Sequence, residues 1–303
     1  MWVKRWFFTG HPAGPAWYGS MDIQWYPGHM AKAKREVKEN LKLVDVVIEV
    51  LDARIPASSR NPDINEITGR KPKLVILNKS DLADPDLTGI WLKKFINSGI
   101  PAAAVDLRSG RGVRAVPVLV GQLAAPKMDS LISAGRRPRA ARCIVLGIPN
   151  VGKSFLINKL ADRRAARTGY KPGVTRGQQW VRMAGNLELM DTPGILWPKF
   201  GDPEAAFRLA VTGAVREEVF NIYDVAGRLA KWLAKNCPEA IKKRYKLQDL
   251  PEDAGELLEL IGMSRGFIGS GGVVDLQKSA HNVLKEFREG KFGRITLDYP
   301  ENI

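Results

Sequence analysis

Two short stretches decide the fold of this chain: LNKSDL at residues 77–82 and GIPNVGKS at residues 147–154. The second matches the pattern G-x-x-x-x-G-K-[ST], a loop whose backbone N–H groups surround the phosphates of a nucleotide. It lies directly after a strand-like run and before a helical stretch, as such a loop requires. The first follows another strand-like run and presents an aspartate suited to reading a purine base. The base-reading stretch therefore precedes the phosphate loop, and this order has to be explained.

The phosphate loop predicts which residues hold the nucleotide and its metal ion. Gly147 and Gly152 let the backbone wrap around the phosphates, and the helix beyond adds a partial positive charge. Lys153 is expected to reach the β- and γ-phosphates and to act in catalysis, and the Ser154 hydroxyl is expected to coordinate Mg²⁺. The predicted nucleotide contacts of this loop are Asn150, Val151, Gly152, Lys153 and Ser154.

The stretch around Asp81 distinguishes GTP from ATP. An aspartate carboxylate accepts two hydrogen bonds from guanine, at N1–H and at the N2 amine. Adenine offers neither donor, so a buried aspartate facing it would stay unpaired at a cost in free energy. We therefore predict that Asp81 reads guanine, that Asn78 braces the loop and that the Lys79 stem covers the base. A polar turn after a strand is the alternative interpretation, and a P-loop ATPase is the rival function that Asp81 argues against.

Two Gly- and Pro-rich segments match the parts of such a site that respond to the γ-phosphate. KPGVTRG offers Thr175 as a second hydroxyl ligand of Mg²⁺ and a catalytic residue. MDTPG places Asp191 where it holds Mg²⁺ through a water molecule, and the Gly194 N–H where it meets the γ-phosphate during catalysis. The stretch DLRSGRG (106–112) stands where a second loop supports the base, although it lacks the usual Ser-Ala-Lys.

These parts follow one another as base reader, base support, phosphate loop, first switch and second switch. In an ordinary P-loop GTPase the phosphate loop comes first. The contacts of a site depend on where its strands lie in the sheet, so joining the old chain ends and opening the chain after the second switch gives the observed order. We therefore predict an α/β fold: a circularly permuted P-loop GTPase domain with a mostly parallel sheet and helices on both faces.

The pattern of the sequence also divides the chain. Short β-branched runs alternate with helical stretches from residue 21 to residue 203, which we assign to the GTPase domain (21–203). Only helical patterns follow, so residues 204–303 are predicted to form an all-helical domain that binds RNA or the ribosome. Residues 1–20 contain no acidic residue and show no lasting period, which predicts a disordered extension. The basic stretch 127–142 is predicted to be a partly flexible linker.

The charge of the chain favours a polyanionic partner. The net charge is +15, and all of it lies in residues 1–203, which hold 32 basic and 17 acidic residues. Such an excess favours nucleic acid through phosphate contacts and counterion release, although a protein that is merely basic is the alternative. No apolar run is long enough to cross a bilayer, and two cysteines fit a reduced compartment, so we expect a cytoplasmic protein. The basic runs considered as RNA contacts are Lys32, Lys34, Arg35 and Lys38, then Arg136, Arg137, Arg139 and Arg142, and then Arg228, Lys231, Lys235, Lys242, Lys243, Arg244 and Lys246.

Seven stretches together resemble the RbgA/YlqF family of ribosome-biogenesis GTPases: WYPGHMAKAKRE, DARIP, NKSDL, GIPNVGKS, PGVTRG, DTPGILWPKF and GKFGRITLD. The resemblance runs from about Met21 almost to the end of the sequence. It implies a permuted GTPase with a C-terminal helical domain that acts in late maturation of the large ribosomal subunit. The implied partners are a large-subunit precursor and its rRNA, bound in the GTP state and released after hydrolysis. We further expect a monomer without a membrane or DNA partner.

The residue that orients the attacking water is an open part of the prediction. Many GTPases place glutamine after the second-switch glycine, whereas this chain has Ile195, which cannot hydrogen-bond water. The enzyme is therefore expected to be slow alone and stimulated by ribosomal particles; the alternative is a non-catalytic guanine-nucleotide switch that binds RNA. His29, in WYPGHM, can swing towards the γ-phosphate, and the resemblance implies the same catalytic role. A helix cap or an RNA contact is the alternative for His29.

Asn150 is in addition a candidate ligand of a monovalent cation. Its side-chain carbonyl can help to hold K⁺ against the phosphates, and GTPases that require potassium resemble this chain at that position. An asparagine that only braces the loop is the alternative interpretation. The expected cofactors are thus Mg²⁺ and, if Asn150 acts in this way, K⁺, with GTP as substrate and GDP as product.

Overall fold

The computed structural model describes residues 35, 37–137, 139–161, 180–183, 186–190 and 202–300. Within these residues the chain forms a six-stranded sheet, helices that cover the sheet, and a group of helices after the last strand. The strands are β1 (Val46–Asp52), β2 (Lys73–Asn78), β3 (Ala102–Ala104), β4 (Ala141–Leu146), β5 (Trp180–Met183) and β6 (Leu187–Met190).

The order of the strands in the sheet is β3-β2-β1-β4-β6-β5. Neighbouring strands are parallel except for β5 and β6, which pair in antiparallel orientation. β1 therefore lies between β2, which ends in Asn78, and β4, which leads into the phosphate loop. Because the carboxyl ends of parallel strands meet at one edge of a sheet, the base-reading stretch and the phosphate loop come together across β1. The predicted circularly permuted α/β fold is confirmed.

Capping side chains mark where several of the helices begin. The Asp84 carboxylate accepts hydrogen bonds from the backbone N–H groups of Asp86 and Leu87, and the following proline is the first residue of its helix. No helix of the described residues is long and apolar enough to cross a bilayer. The helices are α1 (Ile64–Thr68), α2 (Pro85–Asn97), α3 (Ala115–Ser133), α4 (Lys153–Leu160), α5 (Pro203–Thr212), α6 (Ile222–Asn236), α7 (Pro238–Tyr245), α8 (Ala254–Arg265) and α9 (Leu276–Arg288), and residues 37–40 are helical as well.

Alternating side chains of β1 place the sheet between two apolar layers. Ile48 lies in one apolar cluster with Val120 of α3. Leu51 points to the opposite face and lies in another cluster with Trp91 of α2. All seven residues of β1 are buried, as expected for a central strand of a parallel sheet that is covered on both faces.

The prediction that residues 127–142 form a partly flexible linker is wrong at both ends of this stretch. α3 continues to Ser133, and β4 begins at Ala141. Pro126 lies inside α3 and removes one backbone donor, which would normally favour ending the helix. The helix continues past it because Met128, two residues further on, packs against the large apolar cluster. Tertiary packing therefore outweighs the local effect of the proline.

Helices follow the last strand as predicted, but they do not form a separate core. Buried residues of α6, α8 and α9 belong to the same apolar cluster as one face of the sheet. Residues 290–299 follow the last of these helices and are not helical. Gly290, with φ of +74°, ends α9 in the left-handed conformation that glycine adopts readily. The chain then returns to its first half, where Ile295 N donates to Leu82 O at 2.9 Å.

α8 and α9 pack closely at Gly262, which generates a first prediction. A Cβ atom at this position would overlap Ser279 Oγ of α9 and Val274 Cγ1. We expect Gly262→Ala to lower the free energy of unfolding by about 1–3 kcal/mol, the usual result of overpacking. Gly121→Ala in α3 is the matched control, because nothing lies within 4 Å of the added methyl group. This control should raise the free energy of unfolding by about 0.5–1 kcal/mol.

Urea denaturation followed by circular dichroism measures both changes. Equal effects of the two substitutions would contradict the close packing of α8 against α9.

Candidate nucleotide-binding site

A cleft of about 360 Å³ lies where β2 and β4 end. Asn78, Lys79 and Asp81 line the cleft together with Gly152 of the phosphate loop. Arg108, from the predicted base-supporting stretch, lines it as well. The volume is within the range of small-molecule binding sites. The structure thus brings three segments that are far apart in the sequence to one cleft.

The phosphate loop needs glycine at two positions because other chain segments approach it closely. Gly147 has φ of +154°, and a Cβ atom there would lie 2.5 Å from the backbone oxygen of Val50 in β1. Gly152 has φ of +108°, and a Cβ atom there would overlap Nδ2 of Asn78. Both glycines therefore let the loop lie directly against the strands and the base-reading stretch.

Asn78 connects the two halves of the cleft. Its side chain is buried, and Nδ2 donates a hydrogen bond of 2.7 Å to the backbone oxygen of Val151. The end of β2 is thereby tied to the phosphate loop after β4. A change in the position of either loop must strain or break this bond.

Lys153 and Ser154 lie at the start of α4. Lys153 Nζ donates to the backbone oxygens of Gly147 at 3.1 Å and Ile148 at 2.9 Å, so the ammonium group is held against the phosphate loop. The Ser154 side chain is exposed in the first turn of α4. A hydroxyl oxygen next to a phosphate-binding loop suits Mg²⁺, which prefers oxygen ligands and keeps several waters.

Asn150 links the phosphate loop to the helices after the sheet. Its φ of +58° is left-handed, a conformation that asparagine tolerates better than most residues. The side-chain Nδ2 donates a hydrogen bond of 2.8 Å to the backbone oxygen of Gly213, directly after α5. This is a bracing contact, made by the amide nitrogen. The predicted role of the side-chain carbonyl as a K⁺ ligand stays a prediction.

Asp52 and Arg54, in the stretch DARIP, are site residues to which sequence reasoning gave no role. Asp52 ends β1 between the two loops, and its carboxylate accepts hydrogen bonds from Arg54 Nε at 3.0 Å, Arg54 Nη2 at 2.7 Å and Lys79 Nζ at 2.9 Å. Both Asp52 and Arg54 are almost completely buried. Burial raises the pKa of Asp52, but the charges of Arg54 and Lys79 outweigh it and hold this pKa well below its usual range.

A signal for this pair was present in the sequence. An acid at the end of a predicted parallel strand lies at the same edge as the neighbouring strand ends, and an arginine two residues later can reach it. Asp52 thus orients Lys79 of the base-reading stretch, whose φ of +61° is unusual for a residue other than glycine.

The C-terminus of α5 is held by residues of the cleft. Consecutive backbone oxygens at the end of a helix lack partners within the helix and need donors from elsewhere. Here Arg288 donates to the oxygens of residues 210 and 211 at 3.0 Å each, Arg54 Nη2 donates to Thr212 at 3.5 Å, and Asn150 donates to Gly213 at 2.8 Å. The phosphate loop and the DARIP stretch therefore both bind the end of α5.

Some of the predicted site residues lie outside the described residues. These are His29, Thr175, Asp191 and Gly194, together with the extension 1–20. The roles assigned to them stay predictions.

Several of the basic residues that were considered as RNA contacts pair with carboxylates of the protein. These pairs fix the arginines within the fold, so their charges are partly neutralised. The lysines at 231, 235, 243 and 246 are exposed. The paired arginines and their partners are Arg139 with Asp45, Arg142 with Glu188, Arg228 with Glu204 and Arg244 with Glu286.

The buried pair generates a second prediction. Asp52→Asn removes the charge that balances Arg54 and leaves a buried guanidinium without a carboxylate. We expect the free energy of unfolding at neutral pH to fall by about 3 kcal/mol. Because the pKa of Asp52 is depressed in the folded state, the difference from the native chain should shrink as the pH falls from about 4 downward.

The control for this prediction is Glu66→Gln, which removes a carboxylate from an exposed pair with Lys38 at 3.5 Å. It should change the free energy of unfolding by less than about 1 kcal/mol. Urea denaturation at several pH values measures both variants. A loss in Asp52→Asn no larger than in Glu66→Gln would show that Arg54 is not left as an uncompensated buried charge.

Comparison with known proteins agrees with this geometry. The family described as "50S ribosome-binding GTPase" matches residues 142–249. Ribosome biogenesis GTPase A of Bacillus cereus is 49% identical over 93% of this chain and 95% of its own. Mitochondrial ribosome-associated GTPase 1 of Bos taurus is 31% identical over 93% of this chain and 92% of its own. The crystal structure of GNP-bound YlqF from Thermotoga maritima is 27% identical, covers 90% of this chain and 100% of its own, and gives a TM-score of 0.61. The chain is therefore a GTPase and belongs to the ribosome biogenesis GTPase A (RbgA/YlqF) family.

Proposed function

We propose that this GTPase assists late maturation of the large ribosomal subunit in the cytoplasm. It binds a precursor particle and its rRNA in the GTP state and leaves after hydrolysis. The observation that carries the proposal is the cleft in which Asp81, Asn78 and the phosphate loop meet, in a chain that matches the 50S ribosome-binding GTPase family. The related mitochondrial protein is named for its association with the ribosome, which agrees with this partner.

The roles of the site residues follow from the chemistry of the cleft. Asp81 binds the guanine N1–H and N2 amine, and Lys153 with the loop backbone binds the phosphates. Ser154 and Thr175 would hold Mg²⁺ through their hydroxyls, and Asp191 would hold it through water. Mg²⁺, when bound, neutralises charge that develops on the transferred phosphoryl group.

Hydrolysis needs a group that orients the attacking water, and Ile195 cannot supply it. We assign this task to His29, which an ordered partner surface would bring to the γ-phosphate. Asn150 is the proposed ligand of a potassium ion that adds positive charge near the phosphates. The assignment of His29 implies that the free enzyme is slow and that ribosomal particles stimulate it.

Particle binding is assigned to charge rather than to a base-reading motif. The net charge is +15, and lysines 231, 235, 243 and 246 are exposed around α6 and α7. Lysines in such a group bind phosphates without sequence preference, and the affinity of this binding falls as the salt concentration rises.

A second candidate function is a non-catalytic guanine-nucleotide switch that binds structured RNA. The observation in its favour is the apolar Ile195 at the position where many GTPases have the water-orienting glutamine. Such a protein would bind GTP and GDP differently but would not turn GTP over, with or without ribosomal particles.

GTP turnover with and without purified large ribosomal subunits, in potassium buffer, tests the proposal. We expect the subunits to stimulate the native chain, and we expect His29→Ala to lower the stimulated rate about 100-fold or more, as for loss of a general base. His281→Ala is the matched control, because His281 lies on α9 and pairs with Glu217 at 3.0 Å. It should keep the native rate.

Two outcomes would overturn parts of this proposal. Equal stimulation of the native chain and His29→Ala would remove His29 from the chemistry while keeping the ribosomal particle as activator. No stimulation of either would favour the nucleotide switch and would end the assignment to the large subunit.

A further inference from the structure

The C-terminal strap, defined as residues 294–298, runs along the loop that follows β2. Ile295 N donates a hydrogen bond of 2.9 Å to Leu82 O. Arg294 Nε donates to Ala83 O at 2.9 Å. More than two hundred residues of chain separate the two segments, yet the strap satisfies backbone groups of this loop one after another.

Two further contacts complete this set. Arg294 Nη2 donates to Ser80 O at 3.0 Å, immediately before Asp81. Thr296 Oγ1 accepts from the backbone N–H of Asp84 at 3.0 Å, just before α2. The strap thus contacts backbone groups on both sides of the residue that is assigned to read guanine.

The far end of the strap is anchored in the interior. Asp298 is fully buried, and its carboxylate accepts from the Ser58 backbone N–H and the Ser58 hydroxyl at 2.7 Å each. Arg208 of α5 pairs with the same carboxylate at 3.0 Å. Leu297 N donates to Arg54 O at 2.7 Å, within the DARIP stretch. A segment fixed in this way is a rigid support rather than a loose tail.

The supported loop needs such a support. Lys79 has φ of +61°, and a non-glycine residue keeps that conformation only where the surroundings impose it. A carboxylate that must meet two donors of a base has to be held within about half an ångström of the productive position. The backbone bonds made by the strap limit the movement of this loop, together with the hydrogen bond that Ser80 N donates to Val105 O at 3.2 Å.

We propose that the C-terminal strap positions Asp81, so that selectivity for guanine depends on Arg294 and Thr296. Neither residue touches the nucleotide; both act through the backbone of the loop after β2. The proposal goes beyond the function proposed above, and it rests on Asp81 as the guanine reader.

Selectivity can be measured apart from overall affinity. Inosine diphosphate lacks the N2 amine of guanosine diphosphate but keeps the ring N1–H, the ribose and the phosphates. A well-placed Asp81 should therefore favour GDP over IDP by roughly 10- to 100-fold, the value of one hydrogen bond to a charged group. The ratio of the two dissociation constants reports whether the Asp81 carboxylate is correctly positioned. A general loss of folding, in contrast, lowers the affinity for both nucleotides by the same factor.

The experiment is isothermal titration of the full chain with GDP and with IDP in the presence of Mg²⁺. The variants are Arg294→Ala, Arg294→Lys and Thr296→Val, each checked by circular dichroism. Lys291→Ala is the matched control, because Lys291 is exposed, lies just before the strap and pairs only at 3.9 Å with Glu289. Asp81→Asn tests the guanine reader itself.

We expect Arg294→Ala to lower the preference for GDP roughly fivefold or more, because a carboxylate that is no longer held loses part of its bond to the N2 amine. Thr296→Val should lower it less, Arg294→Lys should restore part of it, and Lys291→Ala should keep the native ratio. If Arg294→Ala does not fold, the ratio measured for Thr296→Val tests the proposal instead. This substitution removes the hydroxyl that accepts from Asp84 N and hardly changes the shape of the side chain.

Three results would overturn the proposal. An unchanged ratio in Arg294→Ala and Thr296→Val would show that the strap does not position Asp81. An equal loss of affinity for GDP and IDP would show that the strap only stabilises the fold. A native chain that does not prefer GDP, or an Asp81→Asn variant that keeps the preference, would remove Asp81 as the reader, a failure that differs from failure of the strap.

Discussion

The nucleotide site depends on one buried carboxylate, that of Asp52. It lies at the end of the central strand, between the phosphate loop and the loop that is proposed to read the base. Its bonds to Arg54 and Lys79 fix both neighbours, and Arg54 in turn reaches Thr212 at the end of α5. A buried ion pair of this kind contributes little net stability, because desolvation of the charges offsets their attraction. Its effect is on geometry, because it fixes the relative positions of the DARIP stretch, the loop after β2 and the end of α5.

The end of α5 connects this site to the helices. Its last carbonyl groups accept bonds from Arg288 and Arg54 and from Asn150 of the phosphate loop. In the sequence, the stretch DTPG at residues 191–194 comes shortly before α5, a direct consequence of the circular permutation. The chain therefore attaches α5 covalently to the predicted second switch and non-covalently to the phosphate loop. Any movement of the phosphate loop relative to the end of α5 has to change the bond from Asn150 to Gly213.

Local chemistry made much of this protein predictable from its sequence. The phosphate loop and NKSDL are each recognised from a few adjacent residues, and the order of these motifs predicted the permuted sheet. The continuation of α3 past Pro126 was mispredicted because Met128 packs on a core that the sequence does not display. The pair of Asp52 and Arg54 lay within one short motif and was still missed, since its role depends on Lys79, which directly follows the neighbouring strand. The roles of His29, Thr175, Asp191 and Gly194 stay predictions.

Sequence patterns could not predict the contacts between the C-terminal strap and the first hundred residues. Nothing in GKFGRITLD indicates that Arg294 bonds the backbone at Ser80, or that Asp298 is buried against Ser58. Such contacts close very long loops, and closing a long loop costs only slightly more entropy than closing a short one, while it delays folding. The support of the base-reading loop is therefore complete only when residues 294–298 have docked. If Asp81 reads guanine as proposed, selectivity for the base in this permuted chain depends on contacts between residues that are far apart in the sequence.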